Sequence, residues 1–171
     1  MILSNEDIKK CLKTGEIKIE PLSEDQIGPA SVDLTLDNIF YTIKSKYLGE
    51  KIDLEHENLN EILESFIDIE VALEPGQLIL GKTKEKITLS NNICGFLEGR
   101  SRFARVGLAI HVTSNFMQPG ISNHQILEMV NLSKSTLILK PGLRICQAIF
   151  IRTESHTSKP YSKFGTLAVK Q

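Results

Sequence analysis

Tryptophan is absent from this 171-residue chain, aromatic residues together make only 6 % of it, and cysteine occurs three times. Cys11, Cys94 and Cys146 are odd in number and far apart, and none belongs to a C-x-x-C pair. A disulfide framework needs an even set and a zinc site usually shows a close pair, so the three thiols read as buried structural groups. A charge surplus is lacking too: 20 Lys and Arg stand against 21 Asp and Glu, for a formal net charge of −1. That balance gives no general pull toward nucleic acid or an anionic membrane. No apolar run approaches the ~18 residues of a spanning helix, and Met1-Ile2-Leu3-Ser4 begins no secretory leader, so the expected location is the cytoplasm. Repeats, low-complexity tracts and linkers are missing as well. With 41 % hydrophobic residues the chain is too apolar for disorder, and residues 1–171 read as one domain.

What is present is mostly period-two patterning. Val32, Leu34 and Leu36 alternate with Ser31, Asp33 and Thr35, and Ile67, Ile69, Val71 and Leu73 alternate with Asp68, Glu70 and Ala72. Shorter apolar runs follow at 77–80, 86–89, 93–97, 106–111, 125–130, 136–139 and 145–151, punctuated by Pro75-Gly76, Asn91-Asn92, Pro119-Gly120 and Pro141-Gly142. Many short strands with Pro-Gly corners predict an all-β sandwich, jelly roll or closed barrel. Before them, Ser4 as N-cap, acidic Glu6 and Asp7, apolar Ile8 and Leu12 on one face, and Gly15 as the stop predict a short N-terminal helix. Leu54, Leu59, Ile62 and Leu63 predict one further short helix over 54–63.

Three segments carry chemistry. Only five arginines occur, and Arg100, Arg102 and Arg105 share the run from Glu98 to Gly107 with Gly99 and Ser101. Forked guanidinium donors beside a glycine and a hydroxyl suit a polyphosphate; a basic surface turn between strands is the alternative. Glu128 stands between Ile126-Leu127 and Met129-Val130. A carboxylate in an apolar strand is costly to desolvate unless paired, and such a carboxylate is a candidate general acid/base. It also reads as a solvent-face residue or one half of a structural ion pair. His111 opens a connection to the Glu128 strand and is either a catalytic imidazole or a satisfied, half-buried side chain; no Ser/His/Asp spacing supports a triad. His56, His124 and His156 show no ligand spacing.

Taken in order, several segments resemble the dCTP deaminase family of the dUTPase-like superfamily, over residues 1 to about 165. They are Met1-Ile2-Leu3-Ser4, Ile27-Gly28-Pro29-Ala30-Ser31-Val32-Asp33-Leu34, Glu98-Gly99-Arg100-Ser101, Ala104-Arg105-Val106-Gly107-Leu108 and His111-Val112-Thr113. Pro119-Gly120, Leu127-Glu128, Pro141-Gly142 and Ile145-Cys146-Gln147 complete the set. The resemblance implies a dUTPase-like distorted β-barrel or jelly roll, a homotrimer with active sites between subunits, a magnesium–triphosphate, and hydrolysis of dCTP to dUTP and ammonia. By position, Glu128 matches the catalytic carboxylate, and Ser101 and Arg105 match the groups around the reacting base. Arg100 falls in the triphosphate loop with Arg102 beside it. Val112, Thr113 and Ser114 fall where main-chain groups meet base and water. Gln118 and Ile121 fall near the sugar, Gln147 among the substrate contacts, and Tyr161 and Lys163 in a C-terminal arm over about 155–171 that closes on the phosphates.

Zinc deaminases carry H-x-E and P-C-x-x-C ligand signatures. This chain has the glutamate but neither signature, so the expected chemistry is zinc-independent. Three positions depart from the family pattern. Arg102 replaces a serine, Gln118 an aspartate used for the sugar 3′-hydroxyl, and Asn123 a glycine. A bifunctional relative that carries dCTP through to dUMP and pyrophosphate is the alternative. Ala104-Arg105, His111-Val112-Thr113 and Gln118 favour deamination alone, while Lys163-Phe164-Gly165-Thr166 echoes the glycine-rich dUTPase arm. A non-catalytic nucleotide-binding module is the alternative of another class. dTTP is a candidate inhibitor acting through 111–114.

Overall fold

The structure is a computed structural model that describes residues 1–55, 58–111 and 113–164. Helix α1 (Asn5–Thr14) starts and stops where its capping residues place it. The Ser4 hydroxyl accepts from the Asp7 N–H while the Asp7 carboxylate accepts from the Ser4 N–H, and Gly15 closes the helix at φ 79°. The helix buries Ile8 and Cys11 against the sheet. Behind it, Glu16 accepts both Arg152 guanidinium nitrogens (2.7 and 3.1 Å) and the Asn92 amide (3.0 Å), tying the helix end to the last strand.

The strands are β1 (Ile17–Glu20), β2 (Val32–Ile43), β3 (Leu63–Ile67), β4 (Val71–Leu73), β5 (Leu78–Leu89), β6 (Ile93–Gly99), β7 (Leu108–Ile110), β8 (Phe116–Met117), β9 (Ser122–Asn131), β10 (Leu137–Leu139) and β11 (Arg144–Arg152). All their pairings are antiparallel. Nine form one sheet in the order β7-β9-β5-β2-β11-β6-β8, with β1 added to β5 and β3 to β2, while β10 and β4 make a second small sheet. The all-β expectation therefore stands. Val32, Leu34, Leu36 and Phe40 of β2, Leu127 and Met129 of β9, and Ala148 and Phe150 of β11 fill the core. Strands β5 and β9 approach so closely over it that a Cβ on Gly81 would lie 2.5 Å from the Met129 methyl. No helix among the described residues is long and apolar enough to cross a membrane.

The sequence reading needs four corrections. The alternation over 67–73 is not one strand: β3 ends at Ile67, and the Asp68 carboxylate turns the chain by accepting from the Ile69 and Glu70 N–H groups at 2.7 and 3.3 Å. Ile67 and Ile69 are left 72 % and 81 % exposed. The runs 77–80 and 86–89 are the two ends of one long β5, whose polar middle, from Thr83 to Glu85, bulges against β9. The helix expected over 54–63 is confined to α2 (Leu59–Ile62). Two single-turn helices were not anticipated: α3 (Ser101–Ala104) in the arginine segment and α4 (Tyr161–Phe164) in the C-terminal arm.

Candidate active site

Strand register explains how Glu128 avoids the core. Successive side chains of β9 point to opposite faces, so Leu127 and Met129 are buried while Glu128 lies on the other face. Across the sheet Glu128 pairs with Leu80, Leu80 with Tyr41 and Tyr41 with Ser65, giving one row on β9, β5, β2 and β3. That row floors an open cleft of about 750 Å³, whose other walls include His111, Ser114, Gln118, Ile121, Asn123, Gln125 and Tyr161.

His111 follows β7 and turns the chain over Glu128. Its φ of 59° is left-handed, a region uncommon outside glycine, and its N–H donates to the Glu128 carbonyl at 2.8 Å. The imidazole side chain is 5 % exposed. Its Nδ1 lies 3.6 Å from Glu128 Oε2, beyond hydrogen-bond length, and has no hydrogen-bond partner. Burial pushes the His111 pKa below its ordinary value and outweighs the opposing pull of Glu128 and Glu98, so the ring sits neutral beside the carboxylate. The Thr113 hydroxyl donates to the same Oε2 at 3.2 Å, and no described residue engages Oε1. One carboxylate oxygen is thus held by Thr113, and the other has no partner among the described residues. Val112 lies outside the described residues.

The arginine segment occupies a different part of the sheet. Arg100 is committed internally, 3.2 Å from the Asp33 carboxylate and 3.2 Å from the Arg144 carbonyl. Gln147 accepts from the Ser31 hydroxyl at 2.8 Å. Ser31 and Asp33, neighbours on one face of the β2 entry, therefore hold the two residues that the resemblance assigns to substrate. The segment Ser31-Val32-Asp33-Leu34 stands out as strand periodicity and as part of the family resemblance, but neither reading pairs Ser31 with Gln147 or Asp33 with Arg100. Ser101 and Arg102 are exposed on α3, and Arg105 is exposed at its C-cap. Arg102 lies over the Phe103 ring, 5.0 Å from its centroid, and no hydrogen bond or ion pair engages the Ser101 or Arg105 side chain among the described residues. Behind α3, Gly107 at φ 88° accepts from the Leu132 N–H, and a Cβ there would come within 2.8 Å of Ser133.

The structure thus gathers Glu128, Ser114, Gln118, Ile121 and Tyr161 around one cleft with Thr113 on Glu128. It does not bring Ser101, Arg102 or Arg105 to the cleft, nor Arg100, Gln147 or Lys163. Tyr161 reaches the cleft because its N–H donates to Pro119 O at 2.9 Å, docking the arm on the Pro119-Gly120 turn. Tyr41 and Gln125 line the cleft without having been singled out in the sequence. Among the described residues no three His, Cys, Asp or Glu side chains are grouped to hold a metal.

Comparison with known proteins decides what this arrangement belongs to. A family model described as dCTP deaminase-like matches residues 2–153. The chain belongs to that family. Curated relatives include the "dCTP deaminase, dUMP-forming" of Kocuria rhizophila, 36 % identical over 162 residues that cover 94 % of this chain and 84 % of the relative. The protein of the same name from Dictyoglomus thermophilum is 37 % identical over 169 residues, 95 % of this chain and 86 % of the relative. Among solved structures, the 2′-deoxycytidine 5′-triphosphate deaminase of Agrobacterium tumefaciens superposes with a TM-score of 0.69 at 21 % identity over 90 % of this chain. This chain spans 49 % of that one's length. A mutant dUTPase of phage phi11 of S. aureus superposes at 0.51 with 13 % identity over 86 % of this chain and 97 % of the phage chain. These likenesses establish the dUTPase-like fold.

Proposed function

We propose that this member of the dCTP deaminase-like family hydrolyses the 4-amino group of dCTP without zinc, with Glu128 as the proton carrier. The observation that carries the reading is the divided environment of the Glu128 carboxylate. The Thr113 hydroxyl steadies Oε2, while Oε1 has no partner among the described residues in a cleft of nucleotide size. Glu128 takes a proton from a water that attacks C4 and returns it to N3; the second water proton leaves with the amine. The balance is dCTP and water in, dUTP and ammonia out. The neutral His111 ring adds no competing charge and walls one side of the carboxylate from water.

Ser101, Arg102 and Arg105 are exposed at α3 and its C-cap rather than at the cleft, which supports an assembly in which a second copy brings them to Glu128. A homotrimer with shared sites is that proposal, and the arginines then supply forked donors to the triphosphate and offset charge developing at the base. Magnesium enters only as the triphosphate's own counter-ion, and dTTP as a competitor for the same cleft. A second reading continues the reaction to dUMP and pyrophosphate. It is favoured by the dUMP-forming name of the curated relatives, and disfavoured by Gln118, whose amide cannot accept the proton that an attacking water must lose. Product analysis with dCTP separates the two: dUTP accumulates in the first, dUMP and pyrophosphate in the second. Release of no ammonia at all rejects both.

A further inference from the structure

Strand β9 breaks the alternation rule beside the active carboxylate. Gln125 and Ile126 are sequence neighbours, yet both line the cleft, which a regular strand forbids. Opposite them β5 bulges. Pairing runs from Lys82↔Ile126 directly to Lys86↔His124, so Thr83, Lys84 and Glu85 together oppose Gln125. The bulge is built from fully buried polar groups. The Thr83 hydroxyl donates to the Glu85 carbonyl (2.9 Å) and accepts from the Gln125 N–H (2.9 Å). The Glu85 carboxylate, 1 % exposed, takes its hydrogen bonds from the Gln26 amide and the Thr35 N–H, both at 2.8 Å. Burying a carboxylate on neutral donors is expensive, and here it fixes the bulge that lies opposite Gln125 at the cleft.

The Gln125 side chain is itself locked. Its Nε2 donates to Asn123 Oδ1 at 2.9 Å and is 3.4 Å from the Asn123 carbonyl. With its donor end fastened, the amide presents Oε1, which no described residue engages. That acceptor lies three residues, about 10 Å of strand, from Glu128. With the base ring at Glu128, the next ring of a nucleotide is the pentose, and a 2′-deoxynucleoside 5′-triphosphate has one free sugar donor, the 3′-hydroxyl. We propose that Gln125, fixed by Asn123 and the Thr83–Glu85 bulge, is the residue that accepts the substrate's 3′-hydroxyl and so reads the sugar. The inference rests on the reading of the cleft as a deoxycytidine nucleotide site. It gives a use to Asn123, which fills a position where the family pattern has glycine.

The test compares binding of magnesium complexes of dCTP and 2′,3′-dideoxy-CTP by calorimetry, with ammonia release from dCTP followed in parallel. Wild type binds dCTP roughly tenfold or more tighter than the dideoxy compound, the worth of one hydrogen bond to a group otherwise left unpaired. Gln125→Leu brings the ratio close to one by weakening dCTP alone, and Gln125→Glu, which keeps an acceptor oxygen, retains the preference. A preference that survives Gln125→Leu, or that collapses instead in Gln118→Leu, overturns the proposal. A ratio that collapses as expected while wild type releases no ammonia keeps the sugar assignment and sinks the deamination reading. Binding of neither nucleotide overturns both.

Discussion

At the scale of single residues, the 3.6 Å gap between His111 Nδ1 and Glu128 Oε2 sets how the site responds to pH. A salt bridge would raise the imidazole's pKa, but burial dominates and lowers it. The sign follows from linkage: above the unfolded-state value near 6.5 both states are neutral at this position and the folded state is unburdened. As pH falls below 6.5 the unfolded chain takes up a proton that the folded site resists, and stability drops. Melting temperatures at pH 7.5 and 5.5 should therefore fall apart in wild type and draw closer in His111→Asn, which tolerates the left-handed backbone without a titrating ring. The residue types at this site were legible early: an acid inside an apolar strand and a histidine after a strand both stand out. Their relation was not, because a positive φ at a non-glycine residue and a 3.6 Å side-chain gap are products of tertiary packing that no spacing encodes.

At the scale of elements, α1 and its clamp were readable because caps are local: Ser4, Asp7 and Gly15 each act within one turn. The β5 bulge and the split at Asp68 were not, since a buried polar pair across two strands and an Asx turn inside an alternating run both override periodicity. The clamp carries its own prediction. Hydrogen bonds from Arg152, then Asn92, pull the Glu16 carboxyl down to about 2 from 4.5. Because the folded-state value is depressed, this contribution is whole above pH 4.5 and is lost as pH falls toward 2. Acid titration of stability should lose part of its slope over that window in Arg152→Met. The C-terminal arm depends on another local requirement: Gly120 has φ 84°, and a Cβ there would come within 2.6 Å of the Pro160 ring. Gly120→Ala should cost roughly 1–2 kcal/mol from the backbone alone. It should also lift α4 from the turn, seen as faster proteolysis after residue 155 and weaker nucleotide binding.

At the scale of the whole molecule, the exposed arginines at α3 lie away from the cleft around Glu128. If copies complete each other, Glu128→Gln and Arg105→Ala proteins, each inactive alone, should regain part of the activity after being unfolded and refolded together. Recovery is read as ammonia release by the mixture, and sedimentation should give a mass three times that of the chain. Absence of recovery with a trimer present would place both groups in function within one subunit. The proposed reaction joins the family, the fold and Glu128. The measurement that tests it most directly is incubation of chelator-treated wild-type and Glu128→Gln protein with dCTP and magnesium, with ammonia and nucleotide products resolved. The account predicts stoichiometric ammonia and deaminated nucleotide from wild type. It predicts a turnover lower by about 10²–10⁴ in Glu128→Gln, with dCTP binding retained. Ammonia release by Glu128→Gln at the wild-type rate, or none from wild type, would contradict it.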